Sequence, residues 1–243
     1  MPADMPILAA DGLHKRFGAL VVLDGVSLAI ARGEALGIVG PNGAGKTTLL
    51  SVLSGAQRAD AGAIRFAGND VTALAAPARC RRGLVRTHQI PQPFAGMTVF
   101  ENAFVAAGQS GRPRGECYDR AVDALRLCGM LGIANRTADT LGLLDRKRLE
   151  LARALATGPS LLLLDEIGGG LTDAEAGELV EVIRELLRRD ISIVWIEHIV
   201  HVLLQVARRL ICMDAGRIIA DGEPKAVLAN ADVVAAYLGG VAA

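Results

Sequence analysis

The sequence predicts an α/β fold, and three observations predict it. Hydrophobic residues make up 51% of the 243 residues but aromatic ones only 3%. The core must therefore be built from Ala, Val, Ile and Leu, as in buried parallel strands covered by helices. A glycine-rich loop, Gly40 to Thr47, stands between the apolar run Ala35–Val39 and an apolar helical stretch containing Leu49, Leu50, Val52 and Leu53. Two more apolar runs, Leu161–Leu164 and Ile191–Ile196, each lead into an acid, Asp165 and Glu197. Ligands of parallel α/β sheets collect at such strand ends.

The other elements fall around these. Residues 7–30 alternate, carry β-branched residues in LVVLDGVSLAI and turn near Gly18, which predicts antiparallel strands. A helix starts near Lys46, and a strand at Ala63–Phe66 ends in the turn Ala67-Gly68-Asn69-Asp70. From residue 72 to about 140 the chain is rich in Arg and Ala, with a turn cluster at Gly108–Pro113 and helical periodicity over Glu116–Cys128. This segment reads as an inserted helical subdomain. Thr172-Asp-Ala-Glu175 is a capping box opening a helix whose apolar stripe is Ala176, Leu179, Val180, Ile183, Leu186 and Leu187. Strands at Ser192–Ile196, Leu210–Met213 and Arg217–Ala220 follow, then a short terminal helix. The whole, residues 1–243, is expected to be one domain. Residues 1–71 and 159–243 form the nucleotide-binding core with its N-terminal antiparallel β subdomain, and residues 72–158 form the helical insertion.

Composition excludes several functions. A formal net charge of +0 argues against nucleic acid as a partner. No run approaches 18 uncharged apolar residues, so no segment is expected to span a membrane. The start, MPADMPILAADGLHKRF, carries acids and no long apolar stretch and does not read as a secretory leader. Cys80, Cys117, Cys128 and Cys212 are scattered and are expected to be reduced thiols of a cytoplasmic protein.

Gly40-Pro-Asn-Gly-Ala-Gly-Lys-Thr47 matches the phosphate-binding pattern GxxxxGK[ST]. Glycines let successive backbone N–H groups turn inward around phosphates, and the following helix presents its positive end there. The candidate nucleotide-binding residues are therefore Gly40, Pro41, Asn42, Gly43, Ala44, Gly45, Lys46, Thr47 and Thr48. Lys46 is expected on the β- and γ-phosphates of ATP, and Thr47 on Mg²⁺. Asp165 is expected in the magnesium shell, and Glu166 as the general base that polarises the attacking water. His198 follows a neighbouring strand and is expected to reach the same site. His14, His88 and His201 have no such placement.

These residues, in this order over nearly the whole chain, resemble the ATP-binding-cassette (ABC) family, a group built on a P-loop NTPase core. The resemblance implies further roles. Phe17 matches the aromatic that stacks on adenine, and Gln89, in Arg86-Thr-His-Gln89, the glutamine that touches Mg²⁺ and water and senses the membrane partner. RTHQ…FAGMTVFEN, RKRLELARALAT, WIEH and AAYLG are similar to the branched-chain (hydrophobic) amino acid uptake branch. That branch implies ATPase activity at the cytoplasmic face of the inner membrane. It also implies permease subunits, a second cassette and a periplasmic or extracellular solute-binding protein. The apolar segment Gln89–Glu101 is expected to dock the permease.

The chain departs from the family pattern at three places. The signature, LSGGQ or LS-x-GQ, is here Leu141-Gly142-Leu143-Leu144-Asp145. The proline after the paired acids is Ile167, and the Asp or Asn of the following loop is Thr172. The degenerate signature raises two alternatives, a non-hydrolysing subunit and a functionally asymmetric heterodimer. The intact Lys46, Asp165, Glu166 and His198 favour the heterodimer. A regulatory or DNA-associated cassette would bring coiled coils, zinc modules or a second cassette, none of which is visible.

Overall fold

The computed structural model describes residues 5–239. Its strands form two sheets. In the first, β2 (Leu20–Ile30), β1 (Leu8–Phe17), β4 (Ala61–Phe66) and β5 (Asn69–Asp70) run antiparallel in that order. The second has the order β10 (Arg217–Gly222), β9 (Arg209–Asp214), β3 (Ala35–Val39), β8 (Ser192–Ile196), β7 (Leu161–Asp165) and β6 (Leu84–Arg86). From β9 to β6 every pairing is parallel, and only β10 runs antiparallel, as a hairpin on β9. This is the α/β architecture with an N-terminal antiparallel sheet that the sequence predicts.

Strands β3, β7 and β8 are buried throughout, and their side chains alternate between two apolar cores. Leu36 and Ile38 of β3, Leu161 and Leu163 of β7, and Val194 and Ile196 of β8 join one core with α1 (Lys46–Ser54) and the antiparallel sheet. Leu162 and Leu164, with Ile193 and Trp195, face the other core. That second core is covered by α5 (Leu143–Ala156) and α6 (Asp173–Arg188). Burying one such leucine contributes roughly 1.5–3 kcal/mol, so a continuous apolar run is what a strand with two covered faces requires.

The helical insertion is a packed trio of α3 (Val99–Gly108), α4 (Arg114–Leu127) and α5. The helix expected over Glu116–Cys128 is α4, starting two residues earlier behind Pro113. Two details correct the sequence reading. Leu84–Arg86, assigned there to the helical subdomain, is the edge strand β6, paired with β7 through Leu84–Leu161, Val85–Leu162 and Arg86–Leu163. The preceding α2 (Ala76–Cys80) packs on it and on α1. The expected turn Ala67–Asp70 is a tight hairpin, with Ala67 (φ 48°) and Gly68 (φ 79°) at its corner, and Asn69 and Asp70 already pair back as β5.

The capping box at Thr172 is present in both directions: Glu175 N donates to Thr172 Oγ1 and Thr172 N donates to Glu175 Oε2. A second one, Thr98 with Glu101, opens α3. The chain closes with α7 (Val200–Leu203), α8 (Pro224–Leu228) and α9 (Ala231–Gly239). All four cysteines are free, three of them buried. Among the described residues no helix is long and apolar enough to cross a membrane.

Candidate nucleotide site

The strand order puts the three loops that matter side by side. β3, β8 and β7 are consecutive neighbours and parallel, so the loops after Val39, Ile196 and Asp165 leave the same edge of the sheet. The Gly40–Gly45 loop is bent by glycines that nothing else replaces. A Cβ on Gly40 (φ 143°) would lie 2.1 Å from the Met213 carbonyl oxygen, and one on Gly45 (φ 98°) 2.5 Å from that of Val22. Gly216 N donates to the Ala44 carbonyl and holds the loop from behind. Gly45 is the N-cap of α1, so the positive end of that helix opens into the loop. A cleft of about 200 Å³ results, lined by Val22, the loop from Asn42 to Thr48, and Glu166.

Lys46 is buried, and its ammonium donates to the carbonyls of Gly40 (2.7 Å) and Pro41 (2.9 Å). Burial pulls it below the ordinary lysine value, while Glu166, Cys212 and Asp165 act in the other direction. Thr47 Oγ1 stands 3.4 Å from Asp165 Oδ1. The second oxygen of Asp165, which is 1% exposed, accepts from Arg86 Nη2 at 2.7 Å, and Arg86 Nη1 donates to Ser51 Oγ at 2.7 Å. Two hard oxygen donors, from Thr47 and Asp165, thus lie together. Such donors suit a hard cation like Mg²⁺, which prefers oxygen ligands.

Glu166 is the meeting point. His198 Nε2 lies 2.7 Å from its Oε1, and Gln89 Nε2 donates to its Oε2 at 2.5 Å. Its backbone is left-handed, φ 49°, a conformation that costs a non-glycine residue on the order of 1–3 kcal/mol. The surroundings hold it there: Glu166 N donates to Ile196 O at 2.9 Å, and Lys147 Nζ donates to the Glu166 carbonyl at 3.4 Å. This turn lifts the side chain out of the strand, so adjacent acids that would point to opposite faces serve one cleft. Behind it, buried Glu197 accepts from Gly168 N (2.9 Å) and His198 N (3.0 Å), anchoring both loops.

Residues 23–168 match the family model for the ABC transporter. The chain belongs to the ABC transporter family. Residues 217–243 match a second model, that of the branched-chain amino acid ATP-binding cassette transporter. The cassette is 38% identical to the high-affinity branched-chain amino acid transport ATP-binding protein LivG of Salmonella typhimurium, over 96% of this chain and 98% of that one. It is 34% identical, with the same coverage, to BraF of Pseudomonas aeruginosa, a protein of the same description. Among solved structures it superposes on an ATP-binding cassette of an ABC transporter in its ADP conformation, with TM-score 0.89 and 33% identity, covering 97% of this chain and 99% of that one. The cassette is accordingly an ATP-binding ATPase subunit.

Phe17 ends β1, 47% exposed, with Lys15 Nζ 5.4 Å from its ring centroid, which leaves a face of the ring open. The signature segment lies at the start of α5. Leu141 is buried, Gly142 is the N-cap with no side-chain bond, and Leu143 is exposed. Asp145 sits in the first turn, 3.7 Å from Arg148. Arg86, Lys147 and Glu197 carry no motif of their own. Arg86 ends β6 three residues before Gln89, and Glu197 showed only as the acid that ends an apolar run before His198.

Proposed function

We propose that this cassette is one of two different ATPases of an importer for branched-chain amino acids or related small polar or amide solutes. It would work at the cytoplasmic face of the inner membrane through separate integral-membrane permeases, fed by a periplasmic or extracellular solute-binding protein. The observation that carries this reading is the likeness to LivG over essentially the full length of both chains. Residues 1–71 and 159–243, with β6, act as the nucleotide-binding core, and the remainder of 72–158 as the helical subdomain.

In this reading Gly40–Thr48 cradle the phosphates of ATP, with the Lys46 ammonium turned to the β- and γ-oxygens. Phe17 stacks on the base. Thr47 and Asp165, with Gln89 nearby, would hold Mg²⁺, which would neutralise charge at the phosphates when bound. Glu166 accepts the proton of the attacking water, and the imidazole of His198 orients that carboxylate and touches the γ-phosphate. Gln89 leads directly into Ile90, 72% exposed, and the same segment carries exposed Phe94 and Met97. That segment is where a permease would sit, so that its movement reaches Glu166 through Gln89. Val99 is buried and Phe100 partly so, which leaves them to the core of the insertion rather than to docking.

The second ATPase completes the site. In this family each ATP lies between one P-loop and the signature of the facing cassette. Leu143 and Leu144 put side chains where backbone must approach phosphate, and Asp145 places negative charge at a helix N-terminus that would otherwise attract an anion. A partner with an intact signature would serve the site built on Lys46 and Glu166, while the reciprocal site would stay slow. The test uses the transporter assembled from both ATPases and the permeases, with each P-loop lysine replaced by alanine in turn. Strong loss of solute-stimulated ATP turnover for Lys46→Ala and mild loss for the partner's lysine is expected. Equal losses, or brisk hydrolysis by this chain alone, contradict it.

A further inference from the structure

The first residue of the phosphate loop is held from outside the core. β3 pairs with β9 as far as Val39 opposite Cys212, and the described backbone bonds give the Gly40 N–H no carbonyl partner. It donates instead to the phenol oxygen of Tyr237 at 2.8 Å, across 197 residues of chain. Tyr237 belongs to α9, which packs beside β10 and α8. On the other side of the same α-carbon, the Gly40 carbonyl accepts from Lys46 Nζ at 2.7 Å. Gly40 is the swivel between sheet and loop. Its φ of 143° lies in the region that only glycine enters freely, and a Cβ there would run into the Met213 carbonyl. With the peptide planes before and after it both hydrogen-bonded, neither φ nor ψ of the swivel is free.

We propose that Tyr237 is a positioning residue for nucleotide binding, a latch by which the terminal helix holds the Gly40 swivel, and with it the phosphate loop, in its binding geometry. The Lys46 ammonium already serves two loop carbonyls with two of its three N–H donors, and it must also serve phosphate when ATP arrives, so its hold on Gly40 is shared with the nucleotide. The Tyr237 bond is not shared in this way. A loop held in place beforehand loses less freedom when ATP arrives. The inference rests on the reading of Gly40–Thr48 as the nucleotide cradle and extends it to a residue that does not touch the nucleotide. Tyr237 is 42% exposed, so removing the hydroxyl leaves little packing to lose.

Tyr237→Phe deletes the acceptor and keeps the ring. One net hydrogen bond is worth a factor of about three to ten in an equilibrium. The full-length variant is therefore expected to bind Mg-ATP about three- to tenfold more weakly. In the assembled transporter its KM for ATP should rise by the same factor, with kcat at saturating ATP unchanged. A merely structural role would lower kcat through loss of active protein and leave KM alone. The Gly40 amide of the unsubstituted chain should be protected in hydrogen exchange although it lies past the last rung of the ladder, and Tyr237→Phe should expose it. Wild-type affinity in the variant, or a freely exchanging Gly40 amide in the unsubstituted chain, overturns the latch. Failure of the unsubstituted chain to bind ATP would instead overturn the cradle itself.

Discussion

Arg86 Nη2 donates to Asp165 Oδ2 at 2.7 Å, while the other oxygen of Asp165 faces Thr47 at 3.4 Å. The carboxylate is thus divided between a structural partner and the cleft. Its guanidinium, tied also to Ser51 in α1, fixes β7 to β6 and to the helix behind the phosphate loop. Arg86→Ala leaves a buried charge without a partner, which costs about 3 kcal/mol. For a domain of this size that lowers Tm by about 6–12 °C. Thermal unfolding measures it, and an unchanged midpoint would show the pair to be idle.

That pair also marks where the sequence stops being legible. Gly40–Thr47 could be read because a phosphate cradle demands glycines, lysine and a hydroxyl at fixed spacing. Asp165, Glu166 and His198 could be read because they end apolar strands. Strand adjacency was not in the sequence: that β8 separates β3 from β7 is a matter of tertiary pairing, and it alone brings His198 and Glu166 to 2.7 Å. Strand β6 is three residues long, too short to show a period, so it was read as part of the helical insertion. Arg86 and Tyr237 act through long-range bonds that leave no local pattern.

Thr172 stands where the family usually has Asp or Asn, and here it caps α6. Thr172→Ala removes the cap for a loss of about 1 kcal/mol, seen as a Tm lowered by about 2–4 °C, with ATP affinity unchanged. Thr172 N and Thr172 Oγ1 both donate to the Glu175 carboxyl and hold it below its ordinary value, and Thr172→Ala removes the hydroxyl bond of the two. A carboxyl depressed by folding adds stability above its unfolded value and loses it as pH falls through the folded one. The Tm difference between variant and parent should therefore shrink in acid. A difference that grows as pH drops contradicts the capping role.

Burial pushes the Cys128 thiol up to about 12, and burial first, then Asp214, pushes Cys212 up to about 11. Thiolate is the reactive form. At pH 8 a thiol reagent should leave both unmodified in the folded chain and titrate all four cysteines after denaturation. Rapid labelling of native Cys128 would contradict this packing of α4.

Lys46→Ala removes a charge-assisted contact to phosphate, each worth roughly 1.5–3 kcal/mol. ATP affinity of the purified chain should fall about 10- to 100-fold, while circular dichroism shows the fold intact. Equal affinities would remove Lys46 from the cradle.

Glu166, left-handed in backbone, is bonded by both His198 and Gln89. Glu166→Gln keeps its shape and takes away the basic oxygen. The decisive measurement compares ATP binding and turnover of that variant in the assembled transporter. Binding is predicted to match the parent while turnover at the site built on this chain falls by about 10²–10⁴, so that ATP persists there. Full turnover at that site with Gln in place of Glu166 would contradict the assignment.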